Sequence, residues 1–235
     1  MDVTVHGSPF TVRHLGVVEY QAALDLQNGL VEQRKKGLIP DQFLLLEHPP
    51  VITLGARNHN SRSNVLETPE SLALKGVALF ETGRGGDVTY HGPGQLVGYP
   101  ILELTADRRD VHRYVRDLEE VLIQAVSDFG ITAARIPGLT GIWAGPEENK
   151  ENEENKAKLA AIGVRISRWV TSHGFALNVS TDLSYFGLIV PCGITDKGVT
   201  SMQRLLGRPV PMAEVADAVV SRFERVFGAS ATTSK

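Results

Sequence analysis

One cysteine in this sequence has a context in which a nucleophile could work. Cys192 follows Pro191 and precedes Gly193. A cysteine is strongly nucleophilic near neutral pH once its thiolate is favoured, and the glycine lets the backbone come close to a bound group. Cys192 is the only cysteine, so it cannot form an internal disulfide. A lone cysteine beside an apolar run is more often a small buried hydrophobe, so its context alone leaves both roles open.

A second candidate is the segment from Arg84 to Gln95, which is dense in glycine and proline and also carries Tyr90 and His91. Glycine density allows a ligand to lie close against the backbone. The segment is neither a P-loop nor a dinucleotide fingerprint, because the required spacings are absent. A ligand-binding loop and a pair of ordinary turns both fit this composition.

Lys158 stands where a charged stretch, residues 145–158, meets an apolar run. A lysine at such a boundary can be partly desolvated, which lowers its pKa and suits it to proton transfer. The same lysine could simply be the last charge of a solvated loop.

The segment from Ser172 to Asn178 alternates like a strand. Alternation places His173, Phe175 and Leu177 on one face, and Gly174 and Ala176 on the other. The small face could form the floor of a narrow apolar channel, and a plain buried strand explains the pattern as well.

No metal site is expected from these residues. Histidines such as His48 lie in no metal-ligand spacing, and a single cysteine excludes a thiolate-rich zinc site. A Cys-His protease stays open on the residues alone, with His91 or His173 as the partner of the cysteine.

The elements that must position these residues are mixed in type. Apolar residues at helical spacing predict helices over 18–36, 110–129 and 211–227, with Asp110 as an N-cap. Strands are predicted over 10–15, 42–47, 51–54, 76–81, 88–90, 96–104, 159–169 and 172–178. Strands in consecutive pairs, interrupted by a few helices, favour an α+β fold over an alternating parallel sheet.

Composition excludes some classes of function. The net charge of −3 gives the molecule no basic character to attract nucleic acid or an anionic membrane. The apolar runs are too short for a membrane span, and the N-terminus lacks the pattern of a secretory signal. We therefore expect a cytoplasmic protein. No linker divides the chain, so we predict one domain over 1–228 and a flexible tail over 229–235.

Five blocks occur together in the order of one family. They are Leu45-Leu46-Glu47-His48-Pro49, the run from Arg84 to Pro100, Lys158 with Ala161 to Arg165, the run from His173 to Asn178, and Pro191-Cys192-Gly193-Ile194. On these blocks the chain resembles the lipoyl(octanoyl) transferases. The resemblance implies a central mixed, largely antiparallel sheet with flanking helices, similar to the catalytic domains of biotin and lipoate ligases.

The resemblance also implies roles for individual residues. Cys192 would be the acyl-thioester nucleophile, and Lys158, preferred over Lys156, would lower the pKa of the thiol and shuttle protons. The acyl pocket would be lined by Arg84, Gly85, Gly86, Asp87, Val88, Thr89, Tyr90, His91, Ala161, Ile162, Gly163, Gly174, Phe175 and Ala176. No cofactor is implied.

The implied reaction moves octanoyl from acyl carrier protein to a lysine of a lipoyl domain. The acceptors would be the lipoyl domains of 2-oxoacid dehydrogenases and the glycine cleavage H protein, and the enzyme is expected to be a monomer. Three alternatives compete with this hypothesis: an adenylating lipoate or biotin ligase, a thiol hydrolase, and a non-catalytic module that binds a carrier protein.

Overall fold

Strands dominate the architecture. The structure, a computed structural model, describes residues 9–56, 61–145, 156–190, 198–228 and 231–233. Its strands are β1 (Phe10–Val17), β2 (Asp41–Glu47), β3 (Val51–Leu54), β4 (Ala78–Glu81), β5 (Val88–His91), β6 (Gln95–Ile101), β7 (Ala133–Ile136), β8 (Leu139–Ala144), β9 (Ala157–Ser167), β10 (Val170–Asn178) and β11 (Ala231–Thr233). Its helices are α1 (Tyr20–Lys35), α2 (Pro69–Leu74), α3 (Val111–Ser127), α4 (Met202–Leu206) and α5 (Met212–Phe227).

Two sheets organise the described residues. The main sheet has the order β11-β1-β2-β6-β10-β9-β8-β7, and a small sheet has the order β4-β3-β5. In the main sheet β1 runs parallel to β11 and β2, and the remaining neighbours are antiparallel. The predicted α+β class, with a mixed and largely antiparallel central sheet, is therefore confirmed.

The main sheet is covered by helices on both faces. Along β2, Phe43 and Leu45 belong to the apolar cluster packed with α3 and α5, whereas Leu44 and Leu46 belong to the cluster packed with α1. A central strand between two helical layers is apolar on both sides. This burial explains the unbroken run of large apolar residues from position 43 to position 46.

The three long predicted helices are confirmed, with ends that differ from the predicted ones by at most two residues. The N-cap at Asp110 is also confirmed, because its carboxylate accepts hydrogen bonds from the backbone N–H groups of His112 and Arg113 at 2.8 and 3.1 Å. The short helices α2 and α4 and the strands β7 and β8 were not anticipated from the sequence.

The predicted pair of strands after the charged stretch is confirmed as the β9–β10 hairpin. Its turn residues, Arg168 and Trp169, both have positive φ angles, of 49° and 65°. Positive φ at both central residues is the geometry of a tight hairpin turn that matches the twist of the strands.

The segment predicted as a flexible tail contains a short strand. Within the predicted tail, β11 pairs in parallel with Phe10–Val12 at the edge of the main sheet. The division into a domain over 1–228 and a tail stays a prediction, and most of the predicted charged loop over 145–158 lies outside the described residues. Among the helices in the described ranges, none combines the length and apolar character needed to cross a bilayer.

Gly98 provides a test of the packing between β6 and β10. A Cβ atom at Gly98 would lie 2.2 Å from the ring of Phe175, its partner on β10. We expect Gly98→Ala to lower the free energy of unfolding by about 1–3 kcal/mol through overpacking, measured by urea denaturation.

The matched control is Gly29→Ala in α1, where an added Cβ meets no atom within 4 Å. An alanine there should raise the free energy of unfolding by about 0.5–1 kcal/mol. Equal unfolding midpoints for the two variants would contradict the contact between Gly98 and Phe175.

Candidate active site

The predicted site residues surround one cavity of about 900 Å³. Its walls come from the turn between β4 and β5, from β9 and β10, and from the first half of α3. Lys158 lines it, as do all the predicted pocket residues except Tyr90, whose ring stacks on Tyr185 in the core of the small sheet. Cys192 lies outside the described residues.

Arg84 fixes the turn that forms one wall. Its guanidinium donates to the backbone carbonyl of Thr53 at 2.6 Å, to the Thr53 hydroxyl at 2.9 Å, and to the carbonyl of Gly85 at 3.1 Å. Arg84 is 7% exposed. Such buried, charge-assisted hydrogen bonds hold the guanidinium against the protein backbone.

The same turn lies directly on β9. The N–H of Gly85 donates to the carbonyl of Val164 at 2.9 Å. A Cβ at Gly163 would lie 2.7 Å from the carbonyl oxygen of Gly85, and one at Gly55 would lie 2.3 Å from that of Gly86. Only glycine at positions 55 and 163 permits this approach of backbone to backbone. Within the motif, Gly86 has a φ angle of 89°, in the region that favours glycine.

The floor of the cavity is made of small residues on paired strands. Gly174 of β10 pairs with Gly163 of β9, and Ala176 pairs with Ala161. All four line the cavity. The side chains at these positions leave room for a bound group to lie against the sheet, as the alternation from Gly174 to Ala176 suggested.

His173 departs from that alternation. Its φ angle is 55°, in the left-handed region that non-glycine residues seldom adopt. Its ring packs at 6.3 Å from that of Tyr99, which belongs to the cluster beneath α1, whereas Phe175 belongs to the cluster beneath α3 and α5. The expectation that His173 and Phe175 share a face is therefore wrong, because the left-handed backbone reverses the direction of the histidine side chain.

Three buried histidines, two of which feel the charge of Arg84, are held neutral. Burial lowers the pKa of His48 and of His173 to about 4. Burial, with the charge on Arg84 among the smaller causes, lowers the pKa of His91 to about 3. Near neutral pH these rings therefore contribute hydrogen-bonding groups and no positive charge.

A chain of hydrogen bonds runs from the glycine-rich segment toward Lys158. Gln95 uses its amide nitrogen to donate to Asn178 Oδ1 at 2.9 Å, so its Oε1 accepts from His91 Nδ1 at 2.8 Å. Asn178 donates to the carbonyl of Thr200 at 3.0 Å, and the Thr200 N–H donates to the carbonyl of Lys158 at 3.0 Å. When buried polar groups are all hydrogen-bonded in this way, they fix the segments that carry them in one arrangement.

Lys158 is the second residue of β9, and its ammonium lies 4.7 Å from the centre of the Trp143 ring. Its backbone N–H donates to the carbonyl of Gly198 at 2.9 Å. Gly198, the first described residue after the Cys192 segment, is therefore hydrogen-bonded to Lys158. Before that segment, the N–H of Val190 donates to the carbonyl of Asn64 at 2.8 Å. Lys156 is not among the described residues that line the cavity.

Asp87 contributes a carboxylate to the same wall. Its Oδ2 accepts from the side-chain amide of Asn64 at 2.7 Å, whereas its buried Oδ1 has no hydrogen-bond partner among the described residues. A buried oxygen of this kind is able to accept a hydrogen bond from a bound group.

Sequence reasoning missed part of the wall. Gln95 and Asn178 lie inside the quoted motifs, so their position in the motifs was a usable signal for a role. The residues from α3 and from the turn between β7 and β8 carried no such signal, because their apolar members look like ordinary core positions. These additional lining residues include Val111, His112, Val115, Arg116, Ile136 and Leu139. No cluster of three or more potential metal ligands occurs among the described residues.

Comparison with known sequences points to one family. A family model for the lipoyl protein ligase A/B catalytic domain matches residues 19–224. An octanoyltransferase of Myxococcus xanthus is 55% identical over 217 residues, which are 92% of this chain and 59% of that protein. An octanoyltransferase of Solibacter usitatus is 54% identical over 216 residues, and the match covers 92% of each chain.

Solved structures share the fold at low sequence identity. Lipoate-protein ligase A bound with ATP superimposes with a TM-score of 0.70 at 15% identity, covering 97% of this chain and 90% of that one. Biotin protein ligase from Aquifex aeolicus, in complex with biotin and ATP, gives 0.54 at 14% identity, covering 92% and 70%. The expected likeness to the biotin and lipoate ligase fold is confirmed.

The buried histidines predict acid lability. An unfolded histidine takes up a proton near pH 6.5, whereas these folded histidines resist protonation until about pH 3–4. Their contribution to stability is therefore complete above about pH 6.5 and is lost as the pH falls toward the folded pKa. Each should lower the free energy of unfolding by about 2 kcal/mol at pH 5 relative to pH 7.

The measurement is urea denaturation of the wild type and of His48→Gln between pH 7 and pH 5. The variant should lose less stability over this range, because it lacks one of the titrating groups. His14→Gln, at an exposed position, is the control and should follow the wild type. Parallel pH profiles for all three proteins would argue against a neutral, buried His48.

Proposed function

The chain belongs to the octanoyltransferases of the lipoyl protein ligase A/B catalytic-domain family, and we propose that it moves octanoyl from acyl carrier protein to a lysine amine of lipoyl domains through a thioester on Cys192. The observation that carries the proposal is the cavity in which the small-residue floor meets Lys158. The acceptors are the lipoyl domains of 2-oxoacid dehydrogenases and the glycine cleavage H protein.

The cavity suits an alkyl chain on one side of β9. Gly163, Gly174 and Ala176 expose little but backbone and methyl groups, and the neighbouring histidines are neutral. The guanidinium of Arg84 is bonded to the Thr53 backbone. An apolar chain placed against this floor displaces water without stripping solvent from the Arg84 guanidinium.

Lys158 supports the chemistry in both half-reactions. A free cysteine thiol has a pKa of about 8.5, so a nearby ammonium increases the fraction of reactive thiolate. The Cys192 thiolate attacks the thioester carbonyl, and the departing thiolate of the carrier takes a proton from Lys158. The neutral Lys158 amine then removes a proton from the acceptor lysine as that amine attacks the acyl-enzyme. The amide forms, and Cys192 leaves as a thiolate.

The proposed reaction needs no nucleotide. Transfer from one thioester to another is nearly balanced in free energy, and transfer from a thioester to an amide is downhill. An adenylating ligase shares the fold, but the relatives at 54–55% identity are octanoyltransferases, whereas the ligase structures share 14–15%. A monomeric state and a cytoplasmic location stay predictions.

The first test is the intact mass of the protein after brief incubation with octanoyl-acyl carrier protein. We expect one octanoyl adduct on the wild type, none on Cys192→Ala, and slow formation on Lys158→Ala. Lys156→Ala is the matched control, because this lysine lies two residues away and does not line the cavity, and it should acylate at the rate of the wild type.

Discharge of the adduct separates the competing reactions. Addition of a lipoyl domain should remove the octanoyl group from the enzyme and add it to the domain. Release of free octanoate without transfer would indicate a thiol hydrolase. Acylation only with free octanoate and ATP would indicate a ligase. Full activity of Cys192→Ala would refute the covalent mechanism.

Chain length should matter moderately. Each methylene missing from the donor removes about 0.8 kcal/mol of burial, which corresponds to about a fourfold lower kcat/KM. Heptanoyl- and hexanoyl-acyl carrier protein should therefore be progressively poorer donors, with an unchanged KM for the lipoyl domain. Equal kcat/KM values for hexanoyl and octanoyl donors would contradict an apolar acyl site.

A further inference from the structure

The lining residues of the cavity fall on both faces of β9. Gly163 and Ala161 lie on the face of β9 toward the Arg84 turn. They pair across the strands with Gly174 and Ala176 of β10. Ile162 also lines the cavity, but it packs against the apolar cluster beneath α3 and α5. The cavity therefore has two arms, an acyl arm against the small-residue floor and a second arm on the α3 side of β9.

The second arm opens because β8 separates from β9. Their pairing runs from Ala144 and Ala157 to Ile142 and Ala160, with a register shift on the way. At Gly141 the φ angle is 111°, and a Cβ would lie 2.4 Å from the carbonyl oxygen of Ala160. Beyond this point β8 no longer pairs with β9 in the described chain, and the gap is bordered by residues 136–140.

The walls of the second arm are fixed to each other. Glu119 of α3 accepts from Arg135 Nε at 3.0 Å and from the backbone N–H of Gly141 at 2.9 Å. Arg135 also donates to Glu120 and to the carbonyl of Arg116, at 2.8 and 2.9 Å. These contacts hold the turn between β7 and β8 against α3, so the arm is preformed.

The lining of the second arm combines apolar residues with polar and charged ones. Val111, Val115, Ile136 and Leu139 provide apolar surface. At the outer end the exposed side chains of His112 and Arg116 also line the cavity. The nearby carboxylates of Glu119 and Glu120 are bonded to Arg135, which leaves Arg116 able to meet an anion.

We propose that the second arm binds the 4′-phosphopantetheine chain of the acyl donor, with its phosphate at Arg116. The inference rests on the proposed function. A thioester carbonyl near Lys158 must have its acyl chain on one side and its thiol carrier on the other, and the cavity extends both ways from β9. A pantetheine chain is long, carries amides and methyl groups, and ends in a phosphate. An acceptor lysine is shorter and carries no anion.

The first experiment compares two small donors, octanoyl-4′-phosphopantetheine and octanoyl-pantetheine, with a lipoyl domain as acceptor. We expect the wild type to prefer the phosphorylated donor, and Arg116→Gln to lose about fivefold in kcat/KM for it relative to the other donor. Arg113→Gln is the matched control, because Arg113 is exposed on the same helix, binds the carbonyl of Asp107, and does not line the cavity. It should keep the preference of the wild type.

The second experiment distinguishes the donor from the acceptor as occupant. Val115→Phe narrows the arm and should slow acylation of the enzyme by both small donors about tenfold, while discharge of preformed acyl-enzyme to a lipoyl domain keeps its rate. Slower discharge with normal acylation would place the acceptor lysine in the arm instead. An unchanged donor preference in Arg116→Gln would overturn the phosphate site.

These outcomes are separable from failure of the proposed function. If the wild type transfers octanoyl from neither the carrier protein nor the small donors, the proposed function is wrong. If the wild type transfers from all of them and the variants match it, the function holds and the second arm is not the pantetheine site.

Discussion

The contact of the Arg84–Asp87 turn with β9 is the constraint on which the site depends. One backbone hydrogen bond, from Gly85 to Val164, joins the turn to the sheet, and Gly163 is required for that separation. The buried Arg84 guanidinium fastens the same turn to Thr53 on β3. The small sheet is thereby held over the floor of the main sheet, and the space between them becomes a walled cavity. A side chain at Gly163 would push the turn away from β9, because its Cβ atom would lie 2.7 Å from the carbonyl oxygen of Gly85.

This packing also determines which side chains near the cavity carry a charge. Burial keeps His48, His91 and His173 neutral at physiological pH, and the charge of Arg84 adds to this effect at His91 and His173. The chain of hydrogen bonds through Gln95 and Asn178 ends on the backbone of Thr200, which follows the Cys192 segment, and on that of Lys158. The hydrogen-bonded polar groups of the motifs therefore position the backbone at Lys158.

Much of this arrangement could be predicted from the sequence, for physical reasons. Helical periodicity located α1, α3 and α5 because each buries a single apolar face, and alternation located the floor at Gly174 and Ala176 because strands have a period of two. The left-handed backbone of His173 and the separation of β8 from β9 at Gly141 were not predictable. Both depend on contacts between residues distant in the chain, and neither leaves a local pattern.

A transfer in two steps requires more of a site than a single pocket for the acyl chain. In the proposed mechanism the carbonyl must stay in place while two different groups, a thiol carrier and then a lysine, react at it in turn. In that proposal a floor of small residues holds the acyl chain through both steps, and an arm of separate composition on the far side of β9 holds the carrier chain during the first step. In the proposed mechanism Lys158 lies where the two arms meet, so the same amine can protonate the departing thiolate and deprotonate the arriving amine. In that mechanism catalysis depends on the separation of β8 from β9 at Gly141 as much as on the glycine-rich turn.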